Sequence, residues 1–91
     1  MVSYAADKEK ILSRLKRIEG QLRGIQRMVN DEKYCVDILV QVSSVLGATQ
    51  RVGLILLDDH IKGCVTSALS NGSGDDSIQE LMDVIQRFVK T

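Results

Sequence analysis

The stretch DDHIKGC, residues 58–64, holds the only histidine of the chain, His60, and one of its two cysteines, Cys64. A spacing of four places an imidazole and a thiol on one face of a helix, where both can ligate one metal ion. Two ligands do not close a site. The other cysteine, Cys35, lies 25 residues before His60. On one continuous helix that separation is about 37 Å, so Cys35 cannot complete the site within its own chain unless the helix doubles back. A second copy solves the problem. In an antiparallel pair of identical helices, residue i faces residue j with i + j constant. Setting Cys35 opposite residue 62, midway between His60 and Cys64, puts the two-fold axis at Ala48 and Thr49, beside Gly47. Small side chains there allow close approach. Symmetry then makes two equivalent sites, each with Cys35 from one chain and His60 and Cys64 from the other.

Two thiolates and one imidazole form a soft donor set, which selects Cu(I) or Zn²⁺ over hard cations. A structural zinc site wants four protein ligands, and the chain has no further His or Cys to supply the fourth. The set therefore leans towards three-coordinate Cu(I). The plainer alternative stays open beside it. A cysteine often serves as a small hydrophobe, a lone helical histidine as polar surface, and H-x₃-C recurs by accident in helical sequences.

Helices must carry these residues. In KILSRLKRIEGQLRGIQRMV, residues 10–29, the positions Ile11, Leu15, Ile18, Leu22, Ile25 and Val29 alternate steps of four and three, which predicts one apolar helical stripe. Lys10, Arg14 and Arg17 fall on one flank of that stripe, and Lys16, Arg23 and Arg27 on the other. Asn30 is placed to end this helix and Asp31 to cap the next. A second segment runs from about Tyr34 to Ser70, a helix about 50 Å long if continuous, with Gly47, Gly53 and Gly63 as possible weak points. SNGSGDDS, residues 70–77, is the clearest loop, and Asn71 and Gly72 suit a left-handed C-terminal cap. The third segment, SIQELMDVIQRFVKT, has Ile78, Leu81, Ile85 and Phe88 at helical spacing, and its opening SIQE reads as a capping box between Ser77 and Glu80. The expectation is an all-α chain of three helices (short, long, short) in a single domain, residues 1–91.

A chain of 91 residues with three aromatic side chains, Tyr4, Tyr34 and Phe88, has a small aliphatic core. Long aliphatic faces on so short a chain favour oligomerisation. No run reads as long and apolar enough to span a bilayer: residues 36–57 come closest, but Asp37, Gln41, Ser43, Ser44, Gln50 and Arg51 interrupt them. No membrane and a cytoplasmic location are expected, with two thiols rather than a structural disulfide. Net charge is zero, yet residues 7–29 hold seven basic and three acidic side chains, and residues 30–91 five and nine. One segment can thus present a positive surface on a neutral molecule.

RLKRIEGQLRGIQRMVNDEKYCVDILVQVSSV followed by LLDDHIKGC resembles the copper-sensing transcriptional repressors of the CsoR/RcnR family. The similarity covers residues 8 to 90, and RLKRIEGQ, the YC pair and H-x₃-C are jointly specific. The resemblance implies an antiparallel helical dimer, with dimers pairing into a homotetramer, and a non-enzymatic repressor of operator DNA. It places Cys35, His60 and Cys64 on the family's Cu(I) ligands. Tyr34 and Glu80 match an outer-shell pair that links the metal-bound histidine to the third helix, a task compatible with the capping role of Glu80. The nickel and cobalt sensors of the family carry a histidine at the position of Cys64 and another near the N-terminus. Nickel sensors that share the C-H-C pattern add a histidine in the first helix. The formaldehyde sensors lack the second cysteine and the persulfide sensors lack the histidine. This chain has the copper pattern.

No helix-turn-helix, zinc-finger or ribbon signature occurs, and Lys10, Arg14 and Arg17 read unaided as a solvated flank. The resemblance implies DNA contact by Arg14 and Arg51, with Arg17 one turn from Arg14. Binding through phosphates and DNA shape is then expected, weakening steeply with salt. Three rivals stand beside this. A chorismate-mutase-like helical dimer would leave Cys35, His60 and Cys64 without a role. A thiol sensor would use both cysteines but not His60. A plain helical interaction module would not need ligands at matching positions.

Overall fold

A short 3₁₀ turn, Ala5–Asp7, leads into α1, Lys8–Asn30. The second helix, α2, spans Cys35–His60, continues through a π turn at Ile61–Val65, and passes into α3, Thr66–Ser70. The last helix, α4, spans Gly74–Lys90. The computed structural model describes residues 3–90, and the described residues contain helices and no strand. Counting Cys35–Ser70 as one helical course, these are the three expected helices. The chain divides into two compact units: Ala6–Leu56, and the residues up to Ala5 together with those from Leu57 onward.

In the unit Ala6–Leu56, α1 packs on α2 through Ile11 and Ile18, which meet Val52; Val45, Ala48, Ile55 and Leu56 pack around them. These three side chains are the whole buried core among the described residues. The apolar stripe read from α1 is therefore divided. Ile11 and Ile18 are buried and Ile25 half-buried, whereas Leu15, Leu22 and Val29 are 42%, 46% and 58% exposed. The stripe is wider than one partner helix can cover.

The corner after α1 closes differently from the expected pattern. The Asp31 N–H donates to the Arg27 carbonyl at 2.9 Å, the Glu32 N–H to Val29 at 3.1 Å, and the Lys33 N–H to Met28 at 3.0 Å. This is a Schellman closure, with Glu32 in the left-handed region at φ 55°. Asp31 is thus occupied in ending α1 and does not cap α2. Tyr34 stands at the start of α2 instead, its carbonyl accepting from Asp37 at 3.1 Å and Ile38 at 3.3 Å.

In the second unit, α3 ends as the sequence predicts. Gly72 adopts φ 82°, its N–H donates to the Leu69 carbonyl at 3.4 Å, and the Ser73 N–H donates to Ala68 at 2.9 Å. The chain then re-enters a helix at once. The Ser77 N–H donates to the Ser73 carbonyl at 3.2 Å, so Ser77 lies inside the first turn of α4 and cannot be its N-cap. The SIQE capping box is not formed, and Glu80 has no capping role. Asp75 and Asp76 in that first turn complement the positive end of the helix. The last residue of the quoted segment, Thr91, lies outside the described residues.

Of the three glycines expected as weak points, Gly47 and Gly53 sit within unbroken α2, and the helix changes character only around Gly63. One expectation needs correction. By length and composition alone, the 36-residue course Cys35–Ser70 is apolar enough to cross a bilayer. The interrupting Ser and Gln residues lower its apolar character less than expected, and charged residues are sparse along it.

Glu32 occupies a conformation that costs a non-glycine residue about 1–2 kcal/mol, partly offset in glycine by its greater unfolded-state freedom. Glu32→Gly should therefore raise unfolding stability by roughly 0.5–1 kcal/mol, and Gly72→Ala should lower it by about 1 kcal/mol. Reversible urea unfolding at fixed protein concentration measures both.

Candidate functional site

The helices place the sequence-predicted ligands in two groups. Cys35 is the first residue of α2, immediately after Tyr34, in the unit Ala6–Leu56. His60 is the last residue of α2, and Cys64 lies within the π turn, both in the other unit with Glu80 of α4. Cys35 and Cys64 are free and exposed, and His60 is half-buried. Among the described residues, no group of three or more His, Cys, Asp and Glu side chains gathers as a metal site. A single chain thus presents two soft ligands close in sequence at one end of α2, and a third at the other end.

The surroundings leave these donors accessible. Tyr34 is 67% exposed, and Glu80 is exposed. Asp58, two residues before His60, is held by Lys62 at 3.0 Å. That pair is well exposed and structurally minor. Its neighbours matter more, because Lys62 lies between His60 and Cys64 within the sequence of the turn.

The candidate DNA-binding arginines all belong to the unit Ala6–Leu56. Val52 packs with Ile11 and Ile18; Arg14 lies on α1 between those two isoleucines, Arg17 precedes Ile18, and Arg51 precedes Val52. All three arginines therefore flank one α1–α2 seam. Arg14 is half-buried, while Arg17 and Arg51 are exposed. The other basic flank of α1 is partly engaged, since Arg23 pairs with Glu19 at 3.2 Å. The unit Ala6–Leu56 holds nine basic and six acidic side chains, so the positive surface expected from the sequence stays within one unit.

Sequence reasoning missed the π turn. Hydrophobic periodicity is insensitive to a five-residue change of helical pitch, and Gly63 was the only pointer. The turn matters because it contains Cys64 and follows His60 directly. It alters the assumption that the pair sits on an ordinary α-helical face.

A family model described as metal-sensitive transcriptional repressor matches residues 7–87. The copper-sensing transcriptional repressor CsoR of Bacillus subtilis (strain 168) is 53% identical over 85 residues, covering 93% of this chain and 84% of that protein. The crystal structure of the copper-sensing repressor CsoR with Cu(I) from Geobacillus thermodenitrificans NG80-2 superposes with a TM-score of 0.88 at 52% identity, covering 93% of this chain and 88% of that one. The nickel-responsive transcriptional regulator InrS superposes with a TM-score of 0.75 at 40% identity, covering 88% of this chain and 90% of that one.

Because Cys35 and Cys64 are both free and exposed, the metal-free protein should titrate two thiols per chain with a small aromatic disulfide, without denaturant. A single reactive thiol per chain would mean that assembly covers one of them.

Proposed function

The chain belongs to the metal-sensitive transcriptional repressor family, and from that premise we propose that it is a Cu(I)-responsive repressor that binds operator DNA without metal and releases it when Cu(I) binds. The observation that carries the copper reading is the donor set: two free, exposed thiols and one imidazole, with no other His or Cys in the sequence. Such soft and few donors fit Cu(I) better than Ni²⁺ or a structural Zn²⁺. The family is one of transcriptional regulators, which removes the chorismate-mutase-like alternative.

Cys35 of one copy holds the ion with His60 and Cys64 of another. Two features support this sharing. Cys35 and His60 stand at opposite ends of one helix, so a single copy cannot bring them together along it. The exposed apolar residues of that course also match. The register that sets Cys35 against residue 62 sets Val36 against Ile61, Val40 against Leu57 and Ser43 against Leu54, and Val36, Val40, Leu54 and Ile61 are all exposed in the single chain. Gly47 has nothing within 4 Å of where a Cβ would be, which leaves room for close approach near the axis. Ala48, by contrast, packs in the chain's own core; the close approach falls to Gly47 and Thr49. This pairing covers apolar surface that a membrane could otherwise take up, and supports a cytoplasmic protein acting as one domain, as a homodimer that assembles into a homotetramer.

Cu(I) supplies a soft Lewis-acid centre that thiolates and an imidazole from two chains can share. Tyr34, beside Cys35, and Glu80 on α4 orient His60, as second partners commonly do for a ligand histidine. Arg14, Arg17 and Arg51 bind DNA phosphates along the α1–α2 seam. Drawing Cys35 towards the partner's His60 and Cys64 displaces that seam and α4, and so disperses the basic surface. Linkage requires DNA and Cu(I) to weaken each other by the same factor, typically about 1–3 kcal/mol. Release derepresses copper-resistance genes.

Fluorescence anisotropy of operator DNA under anaerobic conditions tests the reading. One Cu(I) per chain should lower operator affinity roughly 5–150-fold, whereas Zn²⁺ and Ni²⁺ should not. Cys35→Ala should bind the operator like the wild type and lose release. Wild-type affinity unchanged by Cu(I) contradicts the proposal.

A further inference from the structure

Thr66 makes a hydrogen bond of unusual reach. Ser and Thr hydroxyls inside helices commonly bond the carbonyl four residues back, as Thr49 does to Val45 at 2.8 Å and Ser70 does to Thr66 at 3.2 Å. The Thr66 hydroxyl instead donates five residues back, to the Ile61 carbonyl at 2.9 Å. These two residues bracket the π turn Ile61–Val65. The Thr66 amide N–H donates to the Gly63 carbonyl, and the hydroxyl gives the Ile61 carbonyl a donor across the wide turn. A second contact fixes the same turn. A Cβ on Gly63 would lie 2.7 Å from the Ser3 Cβ and 3.4 Å from its Cα, so the residue near the N-terminus packs directly on the turn's backbone.

Single π turns inside α-helices are rare and concentrate at functional sites. This one begins directly after His60 and contains Cys64. In an α-helix, a residue four positions on overshoots a full turn by about 40°. The wider π turn takes more residues per turn and so changes the angular position of residue 64 relative to residue 60. Its pitch therefore sets the angle between imidazole and thiol.

We propose that Thr66 is a positioning residue for the metal site: its hydroxyl bond to the Ile61 carbonyl holds the π turn that sets the position of Cys64 relative to His60. The inference rests on the Cu(I) reading of Cys35, His60 and Cys64. Thr66 touches no metal itself and acts through the pitch of the backbone. Valine keeps the β-branched shape and removes the donor; serine keeps the donor.

The test compares wild type, Thr66→Val, Thr66→Ser and Cys35→Ala, with Thr66→Ala replacing the valine variant should that one not fold. Cu(I) affinity is read anaerobically by competition with a colorimetric Cu(I) chelator. The carbonyl ¹³C shift of Ile61 is read by NMR in the metal-free protein. Thr66→Val should weaken Cu(I) binding roughly 10–100-fold, the range typical of a lost supporting partner in a metal site, and should move the Ile61 shift. Thr66→Ser should restore both. Wild-type Cu(I) affinity in Thr66→Val overturns the inference, even if the Ile61 shift moves. Equal weakening in the valine and serine variants also overturns it, because the hydroxyl would then not be the cause. In both results Cys35→Ala still weakens binding, so the shared site survives. If Cys35→Ala binds Cu(I) like the wild type, the shared site itself is wrong, and the metal role of Thr66 falls with it.

Discussion

Apolar surface that one copy cannot cover is the constraint on which the molecule depends. The described residues bury Ile11, Ile18 and Val52, and leave Val36, Leu39, Val40, Leu46 and Leu54 of α2 exposed. Full burial of an exposed side chain of this kind is worth about 1.5–3 kcal/mol; these are already partly covered, so each gains roughly half of that, and together they favour a second α2 laid against this face. The proposed ligands obey the same geometry. A register that covers Val36 and Val40 with Ile61 and Leu57 also brings Cys35 to the level of His60 and Cys64. In the proposed shared site, assembly and metal sensing are two consequences of one packing problem, and a change in either is felt by the other.

That coupling gives a short chain a way to transmit a signal. The arginines proposed to hold DNA lie along the α1–α2 seam, adjacent to Ile18 and Val52. Packed seams shift in discrete steps rather than bending smoothly, so in the proposed mechanism drawing the ends of α2 towards a partner re-aims charges fixed to the seam. Acidic and basic residues are separated along the chain, the positive excess lying within Ala6–Leu56. A neutral molecule thereby keeps a face suited to phosphates.

Most of the helical architecture was legible because it rests on patterns with simple causes. Apolar spacing marked α1 and α4, the breaks on either side bounded α2, and Gly72 announced the left-handed closure that the backbone adopts. What escaped has physical reasons too. Glu32 takes up a left-handed conformation usually given to glycine, so nothing in its type marks the corner. Ser77 resembles a cap, but the Schellman closure at Ser73 leaves no loop long enough to delay α4. The division of the α1 stripe depends on how many helices surround it, which periodicity does not encode. The π turn leaves almost no trace, since the contacts that accompany it, a hydroxyl bond from Thr66 and the packing of Ser3 on Gly63, follow from no local pattern. The candidate ligand types stood out in composition; their proposed distribution between two copies rests on helix length.

The shared site is tested most directly by mixing two inactive chains. Cys35→Ala and Cys64→Ala homodimers each lack an intact site. A mixed dimer, if Cys35 is contributed across the interface, has one site with both cysteines lost and one site complete. Dissociating and reassociating the two variants together should therefore restore tight Cu(I) binding at one site per mixed dimer, read by anaerobic competition with a chelator. Binding by the mixture no tighter than by either variant alone would contradict a site built from two copies.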